Sequence, residues 1–147
     1  MDYETRIQEL DELIHLLISL RKGKKIVHCH GVFDLLHIGH IKYFQEAKSM
    51  GDILVVTITP DRFVSKGPSR PIFNEVLRAE AITSLYVVDY VAINEWPTAI
   101  ETIKALKPNF FVKGPDYKDY EQDITGNIQL EEEAVKSVGG KIAFTSG

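Results

Sequence analysis

The sequence predicts an α/β domain: a doubly wound parallel sheet of about five strands, helices on both faces, and a helix ahead of it. Three observations carry that expectation. Short β-rich runs alternate with amphipathic runs along the chain. The most apolar run, Asp52–Thr59 (DILVVTIT), is continuous rather than alternating, the pattern of a strand covered on both faces. The 147 residues suit one domain. A chain of that size buries roughly 68–70% of the surface it exposes when unfolded.

The elements follow in order. Tyr3–Arg21 reads as a helix, because Ile7, Leu10, Ile14 and Leu17 recur at three- and four-residue spacing. Leu13, Leu16, Ile18 and Leu20 widen that stripe, which must pack either on its own sheet or on a second copy. Residues 1–23 are therefore expected to form an N-terminal amphipathic helix, and residues 24–147 the main domain. Gly23 centres a basic turn, and Ile26–His30 is a strand ending at Gly31. Ile38–Met50 reads as a helix closed by Gly51, and Asp52–Thr59 as the next strand. Pro60, Gly67, Pro68 and Pro71 mark a loop expected to be mobile. Asn74 can cap a helix reaching about Ser84. Val87–Ile93 is strand-like, and Pro97–Lys107 is helical with Pro97 near its first turn. Phe110–Lys113 is a short strand. Ile128–Val138 is a charged helix stopped by Gly139 and Gly140, and Lys141–Thr145 begins a last strand.

Composition narrows the function. Hydrophobic residues make up 44% of the chain and charged residues 26%, as in an ordinary folded domain. Seventeen Lys and Arg against 21 Asp and Glu leave a net charge of −4. A nucleic-acid or anionic-membrane partner would call for the opposite sign, so neither is expected. Cys29 stands alone and cannot form an internal disulfide. Asp2, Glu4, Glu9 and Asp11 are the wrong charges for a signal peptide, and the longest apolar run, Ile53–Val56, is far too short to span a membrane. A cytoplasmic location is expected.

In such sheets ligands sit beyond the carboxyl ends of the strands, here the loops after Cys29, Thr59, Ile93 and Lys113. The richest segment is Gly31-Val32-Phe33-Asp34-Leu35-Leu36-His37-Ile38-Gly39-His40, running from a strand into a helix. His37 and His40, three apart, face the same way on a helical turn. They lie at a helix N-terminus, where free N–H groups and the dipole favour an anion. Gly31 and Gly39 carry no side chain that would bar a ligand from the backbone. Imidazole donors and bare amides suit a polyphosphate. A metal site is the rival reading, yet His28 and His30 share one strand face and Cys29 the other, and no metal-ligand spacing appears. Histidines merely satisfied in the core are the other rival.

GVFDLLHIGH resembles the G-x-F-D-x-x-H-x-G-H signature of the cytidylyltransferase-like nucleotidyltransferases. Lys66-Gly67-Pro68-Ser69-Arg70-Pro71-Ile72 is similar to that family's lysine loop, and Arg78 falls in a helix resembling its E-x-R segment. The stretch from Leu106-Lys107-Pro108 to Val112-Lys113-Gly114-Pro115-Asp116-Tyr117 resembles the heptose-phosphate adenylyltransferases, as does Gly139-Gly140-Lys141 before the last strand. The resemblance, over about Lys25–Phe144, implies a Rossmann-like fold and transfer of a nucleotidyl group to a phosphorylated acceptor, with release of pyrophosphate. It implies catalytic roles for His37, His40 and Lys66. Nucleotide binding would fall to Gly31, Val32, Phe33, His37, Gly39, His40, Arg78, Lys113, Gly114 and Asp116. Mg²⁺ would accompany the triphosphate, with no metal held by the protein itself. ATP and a sugar phosphate such as heptose 1-phosphate are favoured by the KGPDY form. The alternatives are CTP with glycerol 3-phosphate, or a binding or assembly module without turnover.

Two departures stand out. The family's Ser/Thr-rich motif after the last strand does not follow Thr145-Ser146-Gly147, so a fragment of a longer protein, fused to a sugar kinase domain, is expected. The N-terminal helix is not required by the minimal domain, and a homodimer is expected with that helix contributing. Among the remaining residues, Asp34 is expected to order its turn by accepting backbone N–H bonds. Phe33 and Trp96 are expected to pack, and Glu131-Glu132-Glu133 to form a solvated helix face.

Overall fold

The structure is a computed structural model, and it describes residues 6–64, 71–115 and 127–146. Its elements are β1 (Ile7–Gln8), α1 (Leu10–Leu20), β2 (Ile26–Gly31), α2 (Ile38–Lys48), β3 (Ile53–Ile58), α3 (Glu75–Thr83), β4 (Tyr90–Ile93), α4 (Ile100–Leu106), β5 (Phe110–Lys113), α5 (Asn127–Ser137) and β6 (Lys141–Phe144). The sheet order is β1-β4-β3-β2-β5-β6, and every pairing is parallel.

Alternation along the strands sorts two layers. Val27, Cys29, Leu54 and Val56 point to the face covered by Phe44 and Ala47 of α2 and Ala79 and Ile82 of α3. Ile26, Val55 and Ala92 point to the other face, under Leu10, Leu13 and Leu17 of α1 and Leu106 of α4. Phe111 continues that second face beneath α4 and α5. The doubly wound α/β expectation holds. No helix among the described residues is long and apolar enough to cross a membrane.

The N-terminal segment departs from expectation in one respect. Helix α1 begins at Leu10, and Ile7 and Gln8, within the expected helix, instead add a parallel edge strand on Val91 and Ala92, while Tyr3 lies outside the described residues. The Arg6 guanidinium fixes that edge by donating to the carbonyls of Thr83 and Val88. Most of the apolar stripe of α1 lies on its own sheet, whereas Ile18 is 61% exposed. Each of Leu10, Leu13 and Leu17, fully buried, contributes about 1.5–3 kcal/mol. Arg21 ties the far end of α1 down by donating to the carbonyls of Leu106 and Lys107.

Other boundaries moved for local reasons. The Asn94 side chain donates to the carbonyls of Trp96 and Thr98, so Pro97 sits in a turn and α4 starts only at Ile100. Lys107 closes α4 in the left-handed region (φ 52°), next to Pro108, which disfavours helical backbone before it. Asn74 caps α3 as expected, accepting from the Leu77 N–H at 2.9 Å. Trp96 packs, partly buried, against the apolar cluster of that second face.

The chain lays β2, β3 and β4 outward in one direction, then returns to place β5 on the free side of β2. Strand order therefore reverses between β2 and β5, and a crevice opens beyond their carboxyl ends.

Candidate active site

The first wall of that crevice is the N-terminus of α2. His37 is its N-cap residue, in extended backbone, and its Nδ1 accepts from the Gly39 N–H at 3.0 Å. The His37 N–H in turn donates to His40 Nδ1 at 3.3 Å. Side chains thus satisfy two backbone donors of the helix start reciprocally. The imidazole rings lie with centroids 4.0 Å apart. Since each Nδ1 accepts, the ring proton of each neutral imidazole sits on Nε2, giving two N–H donors beside a helix N-terminus.

A cavity of about 350 Å³ lies in front of this pair. His30, Gly31, Val32 and Phe33 line it from the end of β2, and Lys42, Tyr43 and Glu46 from α2. Lys113, Gly114 and Pro115 close it from the end of β5, and Thr145 from the end of β6. Tyr43 donates to the Val112 carbonyl at 2.5 Å, bracing α2 against β5. Glu46 accepts from the Ser146 N–H at 3.0 Å and from its hydroxyl at 3.0 Å, which holds the chain leaving β6 against α2.

A buried polar ladder lies under the cavity. His28 Nε2 and His30 Nδ1 sit 2.7 and 2.8 Å from the Thr57 hydroxyl. Burial, helped by the Lys113 charge, brings His30 down to about 3 and holds His28 well below the usual histidine range. As pH falls below 6.5, the unfolded chain takes up protons that these rings refuse, so stability is lost from about pH 6.5 down towards about pH 3. Urea midpoints are expected to fall between about pH 7 and about pH 5, and fall less in a His30→Gln variant. Equal drops in both proteins would reject this origin.

A family model described as Cytidylyltransferase-like matches residues 28–144, which hold this turn, ladder and crevice. The chain belongs to the cytidylyltransferase-like family. Among relatives, the bifunctional protein HldE of Aliarcobacter butzleri is 46% identical over 91% of this chain and 28% of that protein. The HldE of Campylobacter jejuni subsp. doylei is 43% identical over 88% of this chain and 29% of its own length. This chain therefore spans under a third of those relatives. A crystal structure of a lipopolysaccharide core biosynthesis protein from Thermoplasma volcanium superposes with a TM-score of 0.69. It is 32% identical over 84% of this chain and 98% of that one. A pantoate-beta-alanine ligase from Francisella tularensis (TM-score 0.67, 21% identity, 95% of this chain and 66% of that one) shares the fold.

Within this cytidylyltransferase-like domain, eight of the expected site residues meet at the cavity: Gly31, Val32, Phe33, His37, Gly39, His40, Lys113 and Gly114. Lys66 and Asp116 lie outside the described residues. Arg78 does not line the cavity. Its side chain is buried and donates to the carbonyls of Val32, Thr59 and Phe73 and to Asp61.

At both glycines the space a Cβ would take is held by a side chain of the domain itself. A Cβ on Gly31 would meet the Phe33 ring at 2.8 Å, and one on Gly39 would meet the His37 ring at 2.7 Å. Phe33 folds back in this way with φ at 50°, packing edge-on to His40 and Phe44. Asp34 does accept backbone N–H bonds, but from Ile72 and Phe73 across the site at 2.9 and 3.0 Å. Glu131 corrects the expected solvated face, being 6% exposed and 3.2 Å from Lys113 Nζ. Its spacing from Ile128 and Val135 on the apolar stripe was the available signal. Sequence reasoning also missed Lys42, Tyr43, Glu46 and Thr145. Of these Tyr43, one turn beyond His40, was the most readable.

Proposed function

We propose that this chain is a nucleotidyltransferase domain moving a nucleotidyl group, adenylyl first, from a nucleoside triphosphate to a sugar phosphate such as heptose 1-phosphate. An oxygen of the acceptor phosphate bonds to the α-phosphorus. The bond from that phosphorus to the bridging oxygen breaks, and pyrophosphate leaves with the electron pair. The acceptor is already an anion, so no base is needed. The domain's task is to align repelling anions and neutralise charge as it shifts to the leaving group.

The observation that carries this reading is the paired capping of His37 and His40, which commits both Nδ1 atoms to backbone N–H groups at the α2 N-terminus where both residues line one cavity. Lys113 brings positive charge from the facing wall. Lys66 is read as a further cation for the phosphates. Mg²⁺ is read as carried in by triphosphate oxygens, since that ion usually keeps few protein ligands beside substrate phosphates. Such an ion would neutralise phosphate charge when bound.

ATP is preferred over CTP, and a sugar phosphate over glycerol 3-phosphate, on the KGPDY stretch. The bifunctional relatives, each much longer than this chain, support a sugar kinase domain as fusion partner in the whole protein. A pyrophosphate-release screen of ATP and CTP against heptose 1-phosphate and glycerol 3-phosphate tests the proposal. Release is expected with ATP and the heptose phosphate. Release with CTP and glycerol 3-phosphate alone would reverse the substrate assignment, and none with any pair would reject turnover.

A further inference from the structure

Three acids follow one another in α5, and Glu131 is the one that turns inward. Glu133 is exposed, and Glu132 lies 3.7 Å from Lys136 one turn on. The Glu131 and Lys113 side chains are 7% and 13% exposed and 3.2 Å apart. Desolvating two charges is costly, and a well-packed apolar pair often serves a fold as well or better. The pair therefore points to a task other than stability. Lys113 is the last residue of β5 and lines the cavity, with its Nζ 5.6 Å from the Phe111 ring centroid.

We propose that Glu131 is a positioning residue: its carboxylate holds the Lys113 ammonium against the cavity wall, aimed at the phosphates of the bound nucleoside triphosphate. This rests on the nucleotidyltransferase reading above. A lysine stem is flexible, so the ion pair with Glu131 steadies it and remains compatible with a donor contact from the ammonium to a phosphate oxygen. The contact is made in substrate and transition state alike, so its loss falls on binding rather than on the chemical step.

The test compares ATP binding by calorimetry, KM and kcat for the full chain with Glu131→Gln, Lys113→Met, the double variant and Glu133→Gln. Glu131→Gln is expected to weaken ATP binding and raise its KM about tenfold, with kcat within about threefold. Lys113→Met should do the same, and the double variant should be no worse than Lys113→Met alone. Glu133→Gln should match the parent. If Glu131→Gln does not fold, Glu131→Asp takes its place, keeping the charge on a shorter stem, with a smaller KM rise expected. An unchanged KM in the folded Glu131 variant overturns the proposal, as does a Glu131→Gln effect that persists in full without Lys113. A parent chain that binds no ATP overturns the functional reading, and this proposal with it.

Discussion

Alanine at His37 or His40 is expected to lower turnover by about 10²–10³, the usual cost of losing one preorganised donor to a developing charge. Each variant should still fold, because losing the N-cap side chain costs only about 0.5–2 kcal/mol. The packing of the two rings adds a second expectation. Their centroids lie 4.0 Å apart, so each single change removes a wall from the partner ring as well. The double variant should therefore be only slightly worse than either single one. His37→Asn separates capping from catalysis, since its carbonyl oxygen can cap the helix but its amide cannot replace an Nε2–H at the same place. Turnover in His37→Asn should stay low while the urea midpoint recovers. Turnover near the parent value in both alanine variants would remove these histidines from the mechanism.

Arg78→Met is expected to cost about 3–5 kcal/mol of stability, the range seen when one partner of a buried charged network is removed. The Arg78 side chain is fully buried and joins three segments. Its Nη1 donates to the Val32 carbonyl at 2.9 Å and the Thr59 carbonyl at 2.7 Å. Its Nε donates to the Phe73 carbonyl at 3.0 Å, and its Nη2 to Asp61 at 2.6 Å. Lysine cannot reproduce this fork, so Arg78→Lys should recover little of the loss in urea unfolding. A residue that bound phosphate from the surface would behave differently, with KM rising and stability barely moving. An Arg78→Met variant within about 1 kcal/mol of the parent would reject the bracing role.

What was legible in the sequence was local. The turn from Gly31 to His40 announces itself because strand end, glycines, histidines and helix start fall within ten consecutive residues. The doubly buried run of β3 and the Asn74 cap are likewise written in neighbouring residues. What a side chain meets across the fold was not legible. Arg78 shows its helix position but not the three carbonyls waiting for it, which come from residues 32, 59 and 73. Nor does the sequence show that the rings two residues on from Gly31 and before Gly39 fold against them, through a φ of 50° at Phe33 and an extended His37. β1 has two residues, too few to show any period against the helical stripe that follows.

Cys29 lies in the middle of β2, fully buried between the two ladder histidines in sequence and facing the opposite layer. Burial pushes its thiol up to about 12, so the reactive thiolate is nearly absent from the folded protein. The sole thiol of the chain thus makes a clock for the strand on which the cavity is built. An alkylating reagent in excess can reach it only when β2 separates from α2 and α3, so the labelling rate counts those openings.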